Sequence, residues 1–178
     1  LYLASFATKV GEDELGPLYE INWNDLKKAT ATLSRFLDNV IDLTPYHFKE
    51  NEENQKGERR IGLGTLGLGE LLIKLRLRYG SPESLELIDE IYKEISLAAY
   101  NNSIELAKEK GMFSKCVPEK IVKSGFIKTL PEELQAKILK EGLRNVTLTT
   151  QAPTGTVGTM LGTSTGIEPY YAFEFFRQ

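Results

Sequence analysis

A single cysteine, Cys116, stands in this chain of 178 residues. No internal disulfide can form, and a lone thiol fits a reducing compartment, here expected to be the cytoplasm. The only histidine, His47, lies in Thr44-Pro45-Tyr46-His47-Phe48 with no cysteine or second histidine nearby. A metal site needs several convergent ligands, so none is expected there. Long apolar runs are also missing. None approaches the roughly 20 residues that span a bilayer, and no signal peptide opens the chain, so no membrane partner is expected. A basic stripe is absent and the net charge is −3, which argues against DNA or RNA as a partner. The two methionines are Met112 and Met160, and the first residue is Leu1. The chain therefore reads as a piece of a longer protein.

What is present is ordinary globular material, 41% hydrophobic and 26% charged, enough for one domain with a real core. Leu1 to Lys9 is apolar and reads as a strand or the end of one. Gly11 to Tyr19 reads as a loop. Asn22 caps a helix with Asp25 in its first turn. Leu26, Ala29, Leu33, Phe36, Leu37, Val40 and Ile41 recur at helical spacing and are expected to face the core. Asn51 to Arg60 reads as a solvated charged loop. Gly62-Leu63-Gly64-Thr65-Leu66-Gly67 matches a dinucleotide fingerprint, but the residues before it are charged rather than a hydrophobic strand, and no acid follows at a second strand end. Its glycines are expected to permit close packing where a short strand meets a helix from Glu70 to Tyr79. Ser81-Pro82-Glu83 starts a long helix that runs to Lys110 and stops at Gly111. At 1.5 Å per residue it extends roughly 40 Å, which suits the outside of an α/β barrel. Cys116 is read as structural. Pro118 to Ser124 makes a helical turn, and Pro131 to Glu141 a helix with Leu134, Ile138 and Leu139 inward. Tyr170 to Phe176 reads as a buried strand. Helices with about four short strands indicate α/β.

The most informative stretch is Gln151 to Tyr171. It follows Val146 to Thr150, a β-branched run that reads as a strand and is stopped by Pro153. Thr154, Gly155 and Thr156 then offer hydroxyls, a pliable backbone and free N–H groups, and Val157 to Leu161 can make a turn or two of helix. Strand, Gly/Thr turn and helix N-terminus together make a cradle for a phosphate. The plain alternative is a surface turn.

Five motifs in order carry a family resemblance: Arg35 to Asp42 (RFLDNVID), Arg59 to Gly64 (RRIGLG), Leu106 to Gly111 (LAKEKG), Leu143-Arg144-Asn145 (LRN), and Ala152 to Thr156 (APTGT) followed by Gly166-Ile167-Glu168-Pro169 (GIEP). Together they resemble the large catalytic subunit of ribonucleotide reductases, most closely the adenosylcobalamin-dependent class, over essentially the whole chain. The resemblance implies a ten-stranded α/β barrel of which this chain is the C-terminal half, residues 1 to 178. It also implies an oxidoreductase of deoxyribonucleotide biosynthesis that replaces a ribose 2′-OH by hydrogen through a thiyl radical.

That chemistry needs at least three cysteines and an Asn-x-Cys-x-Glu element that this chain lacks. In the family that element lies upstream, so this chain alone is expected to be inactive. What the resemblance leaves here is the substrate-phosphate loop, Pro153, Thr154, Gly155, Thr156 and Val157, with no catalytic residue and no metal ligand. Cobalamin-dependent members often read Thr-Ile-Ser where Thr156-Val157-Gly158 stands, so a hydroxyl is lost. Glu168 is expected to be buried and structural. The implied partners are a nucleoside di- or triphosphate, the N-terminal remainder of the same protein and, through two apolar-striped helices, a second copy in a homodimer. The cofactor implied is adenosylcobalamin, for which no binding residues are identifiable. The rival expectation is a non-catalytic nucleotide- or phosphate-binding regulatory module, and a third is a helical interaction domain.

Overall fold

Gly11 to Tyr19, expected as a loop, lies in a β-hairpin. Strand β1 (Ala7–Asp13) pairs antiparallel with β2 (Gly16–Ile21), with Glu12 opposite Pro17. The Leu15 N–H donates to Asp13 Oδ1 at 2.9 Å and closes the turn. Pro17 is tolerated because a two-stranded ribbon has a free edge on each strand, where no N–H is needed. Ahead of the hairpin, Leu3–Phe6 forms a 3-10 turn rather than a strand, with Leu3 and Ala4 buried.

The computed structural model describes residues 1–172 and 174. The helices are α1 (Trp23–Leu43), α2 (Lys49–Glu58), α3 (Leu68–Lys74), α4 (Pro82–Lys110), α5 (Pro118–Ile121), α6 (Glu132–Glu141) and α7 (Gly155–Leu161). Among the described residues the one sheet is the hairpin, so this chain is a helix-rich α/β structure. None of these helices is long and apolar enough to cross a membrane. Tyr170 to Ala172 and Glu174 are not strand. The rest of the expected strand over Tyr170 to Phe176 (Phe173, Phe175 and Phe176) lies outside the described residues.

Several elements start where their caps place them. The Asp25 N–H donates to Asn22 Oδ1 at 3.1 Å, and the Ser84 N–H donates to Ser81 Oγ at 3.3 Å. Helix α2 corrects the expected charged loop. It is polar on every side and buries no residue, so no apolar period betrays it. Its residues are good helix formers, with Glu50 and Glu52 in the first turn, Lys56 in the last, and Lys49–Glu53 and Lys56–Glu52 pairs one turn apart. Helix α3 stops at Lys74, short of Tyr79, and Arg76 turns the chain with φ 58°. In α6, Leu134 and Ile138 are buried but Leu139 is 47% exposed, against expectation.

Two compact units make up the chain. The first comprises residues 1–26, 64–92 and 151 onward, and the second residues 27–63 and 93–150. In the first, Leu3, Leu66, Leu68, Leu71, Leu72 and Ile91 are buried. In the second, Ile104, Phe113, Ile127, Leu130, Leu134, Ile138 and Leu143 form one apolar cluster, and Ile41, Ile61, Ala99 and Leu148 another. The expected strand Val146 to Thr150 is not a continuous ladder. It runs beside Glu58 to Leu63 with Val146 N–H to Glu58 O at 3.1 Å, Ile61 N–H to Thr147 O at 3.2 Å and Leu63 N–H to Leu148 O at 2.8 Å, and one parallel bridge joins Leu63 to Thr149.

The second unit also buries a charge network on which four of the five motifs converge. Arg59, left-handed at the end of α2 with φ 50°, donates through Nε to Asp38 Oδ1 at 2.7 Å and through Nη1 to Asp42 Oδ1 at 2.8 Å. Arg144 Nε reaches Asp38 Oδ2 at 3.3 Å, and its Nη1 donates to the carbonyls of Lys110 and Gly111. Asn145 Nδ2 donates to Asp38 Oδ1 at 2.9 Å. Burial alone would raise the Asp38 carboxyl, but the hydrogen bonds and charge of Arg59, the Asn145 amide and the Arg144 charge hold it below the usual carboxylate range. The side chain of Asp38 is fully buried and that of Arg59 nearly so, so each charge depends on the other.

Candidate functional site

The loop from Gln151 to Gly166 belongs to the first unit and is held at its start by side chains remote in sequence. Tyr92 Oη lies 2.7 Å from Thr65 Oγ1, which donates to Gln151 Oε1 at 2.8 Å, and Gln151 Nε2 donates back to the Thr65 carbonyl at 3.1 Å. Beyond Pro153 the chain enters the left-handed region at Thr154, φ 48° and ψ 31°, and α7 begins at Gly155. A turn followed by a short helix therefore stands where the sequence places one. The N–H groups of the first helical turn have no acceptor within their own helix. In α7 these belong to Gly155, Thr156 and Val157, which are exposed together with Pro153, whereas Thr154 is half-buried.

The Thr154 side chain does not cap the helix. Its hydroxyl accepts the Gly166 N–H at 2.8 Å, and the Thr163 N–H donates to the Gly158 carbonyl at 3.0 Å. The loop is thus folded back on itself. Gly158, where a hydroxyl is missing relative to the resembling family, is buried. A Cβ there would come within 2.7 Å of Thr165 Cγ2 and 3.1 Å of Thr165 Cα, so the return limb excludes a side chain. Glu168 corrects its expectation: it is exposed, and its carboxylate lies against Gly166.

Helix α3 supports this return limb with residues that local sequence reading does not single out. Tyr2 Oη and Thr163 Oγ1 both donate to Glu70 Oε2, at 2.7 and 2.6 Å, and Lys74 Nζ stands 3.1 Å from Glu70 Oε1. The Glu70 N–H donates to Ser164 Oγ at 3.2 Å and the Gly67 N–H to the Ser164 carbonyl at 3.0 Å. Burial pushes the Glu70 carboxyl upward, but the bonds from Thr163, Tyr2 and Lys74 outweigh it and leave it lowered. Tyr2 is raised, by burial first and then by its bond to Glu70 and the charge there. Thr163 and Glu70 are 93 positions apart, so no periodicity within one segment could have paired them.

Two other sequence candidates, His47 and Cys116, belong to the second unit. The His47 ring packs edge-on against Phe48, centroids 4.7 Å apart. Cys116 is half-buried and burial pushes its thiol up, which suits a structural role. Among the described residues no group of three or more His, Cys, Asp and Glu could hold a metal ion.

Comparison with known proteins agrees with the motifs. Residues 3–178 match the family described as ribonucleotide reductase, barrel domain. A vitamin B12-dependent ribonucleoside-diphosphate reductase of Mycobacterium tuberculosis (strain CDC 1551 / Oshkosh) is 36% identical over 157 residues, 88% of this chain and 20% of that protein. A protein of the same description from Thermoplasma acidophilum is 34% identical over 160 residues, 89% of this chain and 19% of its own length. The ribonucleoside-diphosphate reductase subunit alpha of Helicobacter pylori (strain ATCC 700392 / 26695) is 30% identical, covering 100% of this chain and 26% of that subunit. The chain thus spans about a fifth to a quarter of the length of these relatives. With nearly every residue inside the family match, this chain belongs to the ribonucleotide reductase barrel-domain family.

Proposed function

We propose that this chain is the C-terminal half of the catalytic barrel domain of a ribonucleotide reductase and that it contributes the loop that holds the substrate's phosphates. The ten-stranded barrel, the radical chemistry and the substrate belong to that reading of the full-length protein. The carrying observation is the exposed turn at Pro153 to Val157, where left-handed Thr154 leads into α7 and the N–H groups of Gly155, Thr156 and Val157 are left without helical acceptors. Amides and a hydroxyl directed at an anion form charge-assisted hydrogen bonds about twice as strong as neutral ones. A nucleoside di- or triphosphate is the ligand that fits both this loop and relatives named ribonucleoside-diphosphate reductases.

In the proposed reaction the ribose 2′-OH leaves as water and is replaced by hydrogen, while two cysteine thiols outside this chain supply two electrons and close to a disulfide. The relatives named vitamin B12-dependent support adenosylcobalamin as the radical source. Among the described residues no cobalamin site is identifiable: exposed His47 is engaged with Phe48, and no group of three or more His, Cys, Asp and Glu accompanies it.

The reading is tested by Thr156→Val in the full-length protein. Loss of one hydroxyl bond to a charged phosphate is expected to raise KM for the nucleotide about tenfold. An unchanged KM, together with nucleotide-independent exchange of the amides from Thr154 to Val157, would reject the phosphate loop. The chain of 178 residues by itself, given adenosylcobalamin and a dithiol, is expected to give no turnover. Turnover would place the essential thiols within it and overturn the reading.

A further inference from the structure

We infer that Glu70 is the positioning residue of the phosphate loop: it clamps the loop's return limb onto α3 and thereby sets the geometry of Thr154 to Val157. The inference rests on reading that loop as the phosphate holder.

The physical path is continuous and lies within one compact unit. Glu70 Oε2 accepts from Thr163 at 2.6 Å and from Tyr2 at 2.7 Å. The next residue, Ser164, is fixed at two points, its Oγ accepting the Glu70 N–H and its carbonyl the Gly67 N–H. Two residues later the Gly166 N–H donates to Thr154 Oγ1 at 2.8 Å. The carboxylate on α3 is thus joined through the return limb to the side chain of the residue whose left-handed backbone starts the loop helix.

Gly67, which precedes α3, and Gly69 within it complete the clamp by close approach. A Cβ at Gly67, where φ is 77°, would lie 2.8 Å from the Tyr2 ring and 2.9 Å from Thr163 Oγ1. A Cβ at Gly69 would lie 3.1 Å from the Glu168 carbonyl and from Pro169 Cα. Side chains at either position would lift the return limb off Glu70. The glycine-rich stretch is therefore a shelf for the loop, and Glu70 is its latch.

An exposed loop that must order itself at binding loses affinity by the cost of ordering, whereas a preordered one does not. In the full-length protein Glu70→Ala is expected to raise KM for the nucleoside diphosphate about tenfold, with kcat within about twofold of the parent. Inhibition by the matching nucleoside, which lacks phosphates, should not change. Glu70→Gln keeps an acceptor oxygen for Tyr2 and Thr163 and should recover most of the loss. If Glu70→Ala does not fold, Thr163→Val removes one donor to the same oxygen and carries the same expectation. Amide exchange separates the two layers of the reading. Nucleotide should slow exchange at Gly155 to Val157 in the parent protein, and Glu70→Ala should speed exchange at Gly166. If the parent amides respond to nucleotide but the variant leaves KM and Gly166 exchange unchanged, the Glu70 inference is overturned and the phosphate loop stands. If the parent amides ignore nucleotide, the phosphate reading falls and the Glu70 inference falls with it.

Discussion

Asp38 shows what a single buried charge demands of its surroundings. Its carboxylate is fully buried and meets Arg59, Arg144 and Asn145. Removing it would leave Arg59 buried beside a void, with the more exposed Asp42 as its remaining carboxylate partner and the backbone carbonyl of residue 38 as its other acceptor. Asp38→Ala is therefore expected to cost about 3–5 kcal/mol in denaturant unfolding. The same residue makes stability depend on pH. Asp38 and Asp42 are both held below the ordinary range, Asp42 mainly by its hydrogen bond from Arg59. The unfolded chain then binds protons, near its ordinary value of about 3.9, that the folded chain still refuses. Their contribution is complete above that value and disappears as pH falls through the lower folded values. Unfolding free energy measured from pH 6 downward should fall steeply below about pH 4 in the parent and less steeply in Asp38→Ala. Equal slopes would mean that this network does not carry the acid sensitivity.

At the scale of the element, α1 is instructive because its helical period is legible in the sequence and its orientation is not. The apolar positions from Leu26 to Ile41 repeat correctly, yet the buried side is Leu26, Thr30, Ser34, Asp38 and Ile41, while Phe36 is 59% and Val40 41% exposed. At 100° per residue the buried stripe is rotated about a quarter turn from the centre of the apolar one. Ser34 donates to the Thr30 carbonyl at 2.8 Å and Asp38 finds Arg59, so polar side chains are satisfied in the interior. Hydrophobic periodicity could not foresee this, because the satisfying partner lies 21 positions away. Neighbouring residues give the test. Ile41→Ala empties part of the cluster with Ile61, Ala99 and Leu148 and should cost about 2–5 kcal/mol. Val40→Ala should stay within about 0.5 kcal/mol, since alanine's helix propensity compensates for a half-exposed side chain. Comparable losses at both positions would place the buried face where periodicity alone puts it. Capped or stopped elements were readable from local chemistry, as at Asn22, Ser81 and Gly111. The hairpin, α2 and the Glu70 clamp were not. The hairpin hides behind Gly and Pro, α2 has no apolar face, and the clamp joins distant segments. Of the loop from Gln151 to Gly166, the turn into α7 was legible in Pro153 to Val157, but its support from Thr65, Glu70 and Thr163 was not.

At the scale of the whole molecule, neither unit is a continuous length of chain. The first gathers three segments and the second two, so the sequence passes out of the first unit and returns twice. One domain was the natural reading of length and composition, since nothing in the linker chemistry marks boundaries that fall inside α1 and α4. The interleaving has a measurable consequence. Shortening the chain to residues 1–150 keeps both segments of the second unit and deletes the third segment of the first. Among the bonds lost are Gly67 N–H to the Ser164 carbonyl and Glu70 N–H to Ser164 Oγ. Amide exchange at Gly67 and Glu70 should accelerate toward the rate of an open chain, because an amide with no acceptor exchanges without waiting for unfolding. Protection in α6, where Ile138 is fully buried among Phe113, Ile127 and Leu134, should persist, since each of those residues is retained. If Gly67 and Glu70 stayed protected, the last segment would be an appendage rather than part of the first unit. Loss of protection in α6 as well would mean that the second unit cannot hold its core on its own two segments.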